Sequence, residues 1–231
     1  MGEFAESLVG AGSNSSFWGN GNWGDVLRLS VDTLAMSILA FAIAGIVAML
    51  LLPLASSNLA LDRSFGRRRQ LRFVSFAITR ALFIFTRSVP ELLWALIVVF
   101  VLSPGILAGA VALAIHNVGV IGRLGADTVE DATPAPIEAM RSTGANTAQI
   151  YLLGILPLVA RQLITFQMYR WEVIIRTTAV VGFVAASGLG YQMRLDLSFF
   201  RYTNVGQLLV AYLLIVWTVD IISTLTRRSI K

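Results

Sequence analysis

The chain of 231 residues contains no cysteine, one histidine (His116) and one lysine (Lys231). Without cysteine there is no disulfide, thiolate metal centre or cysteine nucleophile. A single histidine rules out a histidine-rich metal site. With its only lysine at the last position, the chain holds no G-x-x-x-x-G-K-[ST] segment and so no P-loop of its own. Charge is scarce too: 13% of residues are Asp, Glu, Lys or Arg, against about 25% in soluble domains. Hydrophobic residues make up 56%, and mean hydropathy is +0.75. A net charge of +5 would suit nucleic acid on a soluble protein, but here the arginines are distributed as they are in a chain solvated by lipid.

Residues 33–61 and 92–122 contain no Asp, Glu, Lys or Arg, and about 20 apolar residues suffice to span a bilayer. The first run holds one span. Ser103-Pro104-Gly105 is a turn signature that divides the second into the end of one span and the whole of the next, 106–123. Further stretches at 74–102, 162–186 and 205–226 bring the expected number to five. The 74–102 stretch is about 43 Å of helix for about 30 Å of hydrocarbon. Its start, with Arg72 and Arg80, is therefore expected in the interface, and Pro90 offers a break that would make six segments. The expected fold class is an all-α integral membrane bundle occupying 27–231.

Arg63, Arg67, Arg68, Arg69, Arg72, Arg123, Arg141, Arg161, Arg227, Arg228 and Lys231 fall on one side of five spans. The other side has Arg194 and Arg201, with Arg28 at a span edge. Positive charge collects on the cytoplasmic face, which places the N-terminus outside and the C-terminus inside a bacterial plasma membrane. Residues 1–26, an extracytoplasmic lead, carry Glu3, Glu6 and Asp25 but no Lys or Arg. A lead without a charged n-region is not a signal peptide, and Trp18 and Trp23 suit an interface.

The loop 125–157, between the third and fourth spans, differs from the rest. Pro134 and Pro136 suit a helix start, 137–143 reads as a short amphipathic helix, and Gly144 suits its C-terminal turn. A helix offered on a cytoplasmic loop is fitted to dock in a groove of a soluble partner. Glu138-Ala139-Met140, Gly144 and Leu156-Pro157 resemble the EAA loop of ABC importer permeases: EAA, three residues, Gly, nine residues, Ile, any residue, Leu-Pro. Met140 stands in place of the second Ala and Gly154 in place of Ile. The resemblance implies a type I importer bundle whose coupling helix, with Glu138, Ala139 and Gly144, seats on an ATPase subunit. ATP and magnesium are then held by an ATPase dimer, an external binding protein supplies the solute, and a second permease copy completes a homodimer. The chain itself is then not an enzyme and binds no cofactor.

The segments 87–94, 169–178 and 181–190 are similar to permeases of phosphonate importers, which implies an anionic phosphorus-containing solute such as a phosphonate or phosphite. Methionine-importer permeases share the layout and the loop and keep another small solute open. Ala185, Ala186 and Ser187 depart from the glycine-richer run common in the phosphonate group.

Arg87 and Glu91 lie inside the second span, His116 in the third, and Arg170, Glu172 and Arg176 inside the fourth. A charge at mid-bilayer costs about 2.5–3.5 kcal/mol on insertion scales, so these side chains are expected to face the bundle interior or a wet path. Arg87 with Glu91 and Glu172 with Arg176 are four apart and suit one helix face each. Either the arginines attract an anionic solute along a path, or the charges neutralise one another across the bundle. His116 and Asn117 suit hydrogen bonds between helices, Asp220 a pair with Arg227 or Arg228, and Gly45, Gly109 and Gly119 close packing. A stand-alone secondary transporter would call for repeated halves, and no repeat is present. A Ser187–His116 dyad is poor evidence for an intramembrane enzyme.

Overall fold

A computed structural model describes residues 23–60 and 67–229. The Glu3, Glu6, Trp18, Arg63 and Lys231 readings lie outside them, as do the side chains of Arg67, Arg68 and Arg69. The described residues form helices and no strand: α1 (Trp23–Ala55), α2 (Ser57–Ala60), α3 (Arg67–Ser88), α4 (Glu91–Leu102), α5 (Ile106–Glu130), α6 (Pro134–Ser142), α7 (Thr147–Ala185), α8 (Gly188–Ser198) and α9 (Tyr202–Ser229). Four of these, α1, α5, α7 and α9, are long and apolar enough to cross a membrane, and the bent pair α3–α4 makes a fifth candidate.

The 74–102 stretch is two helices broken at Val89–Pro90, the break that Pro90 offers in the sequence. Proline lacks the amide proton and crowds the carbonyl four residues back, so the ladder stops before it. The other spans are longer than hydropathy suggested, because their ends carry polar residues that still complete the helical hydrogen bonds. α1 starts at Trp23 with Asp25 in its first turn, where a carboxylate offsets the helix dipole. α5 runs on past Arg123 to Glu130, and α7 begins at Thr147 rather than near 162. α8 has no counterpart in the sequence reading.

The chain divides into two compact units. One takes the chain up to Ala40, Glu91–Leu113 and Trp171–Ser223; the other takes Phe41–Pro90, Ala114–Arg170 and the chain from Thr224. In the first, Val26, Ile175, Leu189, Leu208, Ile215 and Val219 pack together. In the second, Leu52, Leu59, Phe83, Val118, Val129, Ile137, Ile150, Ile155 and Leu163 form one core. Ala40, Ala44 and Ala48 are fully buried at four-residue spacing along α1, a small-residue stripe that lets helices approach closely. The expected packing glycines fit this picture. An added Cβ would meet the Gln167 amide at Gly45, Met36 Sδ at Gly109 and Thr86 Oγ1 at Gly119. Outward, Phe100, Leu107, Leu213 and Trp217 are exposed, as an apolar solvent permits.

The α7–α8 corner resolves the departure at 185–187. α7 ends at Ala185, Ala186 is left-handed at φ 54°, and Gly188 follows at φ 69°. Leu189 N then donates to Thr33 Oγ1 at 2.9 Å, which pins the start of α8 to α1. A left-handed alanine stores about 1–3 kcal/mol of strain, which glycine would relieve. Gly190 is fixed for another reason: a Cβ there would collide with Ala179 O. Ala186→Gly is therefore expected to raise the apparent melting temperature of the detergent-solubilised protein by a few degrees, equivalent to about 1 kcal/mol. Gly190→Ala should lower it by at least as much.

Candidate functional site

The loop 125–157 folds as the tail of α5, a tight turn, α6 and the start of α7. α6 begins at Pro134, where the two prolines suit a helix start, with proline in its first helical positions and Thr133 outside the helix before it. It closes on Gly144, left-handed at φ 81°, whose N–H donates to Arg141 O at 3.0 Å, while Ala145 N donates to Met140 O at 3.1 Å. These bonds satisfy the last carbonyls of the helix. Asn146 and Gln149 then exchange side-chain and backbone hydrogen bonds at 2.9 Å each way, a capping box that starts α7 at once.

α6 has two unlike faces. Ile137 is buried in the second unit's core, with Met140 and Ala145 packed on it, and Arg141 Nη2 donates to Asn58 O at 2.7 Å. Opposite them Pro134, Ala135, Glu138, Ala139, Ser142, Thr143 and Gly144 are exposed. Glu138 makes no hydrogen bond or ion pair among the described residues, and nothing lies within 4 Å of where a Gly144 Cβ would be. The outer face is small, rigidly held and available.

Met140 and Gly154, the two departures from the loop pattern, meet. A Cβ on Gly154 would lie 2.7 Å from Met140 Sδ. The larger residue on α6 occupies the space that the smaller one on α7 leaves, a volume-conserving exchange of the kind cores accept. Leu156 packs on the same core and Pro157 is exposed. The six residues Ile150–Ile155 before them form a π turn, in which Leu156 N donates to Tyr151 O, five residues back. Pro157 has no N–H to give, and the widened turn carries the ladder past it.

Sequence reasoning missed what anchors this loop. Arg80, with a side chain only 12% exposed, donates to Ala55 O at 2.8 Å, to Asp127 Oδ1 at 3.3 Å and to Glu130 Oε1. Glu130 Oε1 also accepts from Ser57 N at 2.7 Å, Asn58 Nδ2 donates to Glu130 O at 2.9 Å, and Asn58 O receives the bond from Arg141. One chain of hydrogen bonds thus ties α6 to α2, to the end of α5 and to α3. The signal was present in Asp127 and Glu130, three apart at the end of a span. An interfacial place for Arg80, which hydropathy suggests, hides the match.

The charges within the spans find other partners than expected. Arg87 closes α3 and Glu91 opens α4, so the break at Val89–Pro90 removes them from a common helix face. Arg87 is exposed. Arg176 Nη2 lies 3.0 Å from both carboxylate oxygens of Asp220, which corrects both its pairing with Glu172 and the pairing of Asp220 with Arg227 or Arg228. Glu172 is buried. Arg170 Nε donates to Asn117 Oδ1, and His116 Nδ1 lies 3.0 Å from Val89 O, so Asn117 joins α5 to α7 and His116 joins it to the break between α3 and α4.

Two outcomes test these contacts. Gly154→Ile, the residue of the loop pattern, should overpack α6 by about 1–3 kcal/mol, while Gly154→Ile with Met140→Ala recovers most of the lost melting temperature in a double-mutant cycle. Arg80→Met leaves Glu130 without its close cation, whereas the more exposed Asp127 keeps Arg123 Nε at 3.0 Å; the change should cost about 1–3 kcal/mol, measured as a lower apparent melting temperature after solubilisation.

Comparison with known proteins agrees with this geometry. Residues 65–230 match the model of the family described as binding-protein-dependent transport system inner membrane component. The chain is 34% identical over 225 residues to the phosphite transport system permease protein PtxC of Stutzerimonas stutzeri, covering 97% of this chain and 77% of that one. It is 31% identical over 200 residues to the phosphate-import permease protein PhnE of Mycolicibacterium smegmatis, covering 87% of this chain and 36% of that one. In fold it is similar to the MetNI methionine ABC transporter in inward-facing conformations, with TM-score 0.70 at 20% identity, covering 89% of this chain and 96% of that one. An all-α chain with several apolar helices and a loop pattern running from Glu138 to Pro157 thus belongs to the binding-protein-dependent transport system inner membrane component family: it is the multi-pass permease of an ABC importer.

Proposed function

We propose that this permease carries an anionic phosphorus-containing solute, a phosphonate or phosphite, handed over by an external binding protein, and that α6 is the helix through which a separate ATPase drives it. The observation that carries the coupling role is the two-faced build of α6: one side fixed in the core and by Arg141, the other small, exposed and bearing an unengaged Glu138. The solute class is supported by the relatives named for phosphite and phosphate transport. ATP and magnesium belong to the ATPase dimer, since this chain has no P-loop. The arginine distribution supports an external N-terminus and cytoplasmic C-terminus.

A second copy supplies the other half of the path. Arg176 and Asp220 form an ion pair on α7 and α9 that is 52% and 35% exposed, and such a pair facing hydrocarbon is costly. Covered by another permease or by a wet path, it is not. ATP binding draws the ATPases together, α6 follows as a rigid body, and the helices tied to it change packing between discrete arrangements.

The experiment is ATPase activity of the permease in lipid with its ATPase, with and without binding protein and each of phosphite, a phosphonate, phosphate and methionine. Stimulation by binding protein with phosphite or a phosphonate is expected. Stimulation by methionine alone would discard the solute class and keep the importer. Gly144→Val, which forces a β-branched residue to φ 81°, should leave insertion intact and reduce stimulated activity at least tenfold. Unchanged uptake in that variant would remove the coupling role from α6.

A further inference from the structure

At the end of α9 and the first half of α7 lies a cavity of about 640 Å³ lined by Leu158, Arg161, Gln162, Thr165, Thr224, Arg227 and Arg228. We propose that it is a binding site for a tetrahedral phosphorus oxyanion, either the headgroup of an acidic phospholipid or a free phosphate-like anion. The site is separate from α6 and from the charges within the spans, and it does not rest on the solute proposed above.

Spacing builds the site. Arg161 and Thr165 are four apart on α7, and Thr224, Arg227 and Arg228 are three and four apart on α9, so each helix turns one short face to the cavity. Three guanidinium groups gather there with an amide and two hydroxyls, and none of the described residues lining the cavity is acidic. Arg227 Nη2 donates to Thr224 Oγ1 at 3.3 Å; the hydroxyl accepts that bond and keeps its own proton to donate. Guanidinium forks match phosphate oxygens two at a time, which a lone ammonium does not. Leu158 adds an apolar element, and Arg227 and Arg228 stand in the last turn of α9; basic residues at the end of a span suit anionic headgroups.

Simple orientation of the chain by positive charge requires arginines near the boundary but not their convergence from two helices on one cavity. The cavity is also much larger than three arginine contacts need, and its size admits a phosphodiester with its glycerol.

The test uses the permease–ATPase complex in nanodiscs of phosphatidylcholine with or without phosphatidylglycerol, followed by native mass spectrometry. Phosphorus NMR with inorganic phosphate and with phosphite forms the second arm. Retention of phosphatidylglycerol over phosphatidylcholine, reduced about tenfold by Arg161→Gln with Arg227→Gln and Arg228→Gln, identifies a lipid site. Arginine-dependent broadening of the phosphate or phosphite resonance, without lipid retention, identifies a site for the free anion. Either result supports the proposal. Should the triple glutamine variant fail to assemble, the triple lysine variant takes its place, because it keeps the charge but loses the forks and should fall between the two. No lipid preference and no anion binding in the wild-type complex, or equal binding in the variants, overturns it.

Discussion

The guanidinium of Arg80 is the interaction on which the second unit depends. It is nearly enclosed, and it gathers Ala55 O, Asp127 and Glu130 around one cation. In surroundings that exclude water, a charge persists only when every lobe of it is matched. That requirement fixes three helices together: the last carbonyl of α1, the middle of α3 and the final turn of α5. Glu130 passes the constraint to Ser57 and Asn58, and Asn58 passes it to Arg141 on α6. The exposed face of α6 is therefore presented by a polar scaffold as well as by the apolar seat of Ile137. Displacement of α6 cannot leave these groups bonded as they are unless the ends of the other helices move with it. Stiffness of this kind is what a helix needs if it is to pass motion on.

Much of this was legible in the sequence. The charge-free runs gave the spans because helices in lipid need long apolar stretches, and the loop pattern from Glu138 to Pro157 gave α6 and its turn, down to the left-handed Gly144. What escaped was of two kinds. Span ends were read short at Glu130 and Thr147, because hydropathy falls off where a helix leaves lipid although its hydrogen bonds continue. Ion partners were misassigned for Arg87, Arg176 and Asp220, because spacing along one helix says nothing of which helix packs beside it. The four-residue rule also assumes an unbroken helix, and Val89–Pro90 breaks the one that carries Arg87 and Glu91. Arg80 was overlooked for a related reason: a lone arginine near a span edge looks like a snorkelling side chain until its two acidic partners are seen to come from another helix.

Met140 and Gly154 show how a pattern departs from its family without losing its fold. Each alone looks like a defect, one too large and one too small. They touch, so the pair holds nearly the same volume as the residues it replaces. The left-handed Ala186 is a different case, since nothing nearby offsets the strain of its backbone; the corner is held from outside by Thr33 and the start of α8.

The π turn at Ile150–Ile155 has a consequence for how the gene can change. Such a turn is an α-helix that has taken in one extra residue, and the surplus is stored locally while the rest of α7 stays in phase. Deletion of a single codon within 150–155 would close the ladder to regular α spacing and leave every side chain downstream of Pro157 on its present face. The same deletion a few turns later would rotate the rest of the helix by about 100° and turn its charged residues away from their partners. Length variation in this segment thus preserves the phase of the rest of α7 at one position and breaks it at the next.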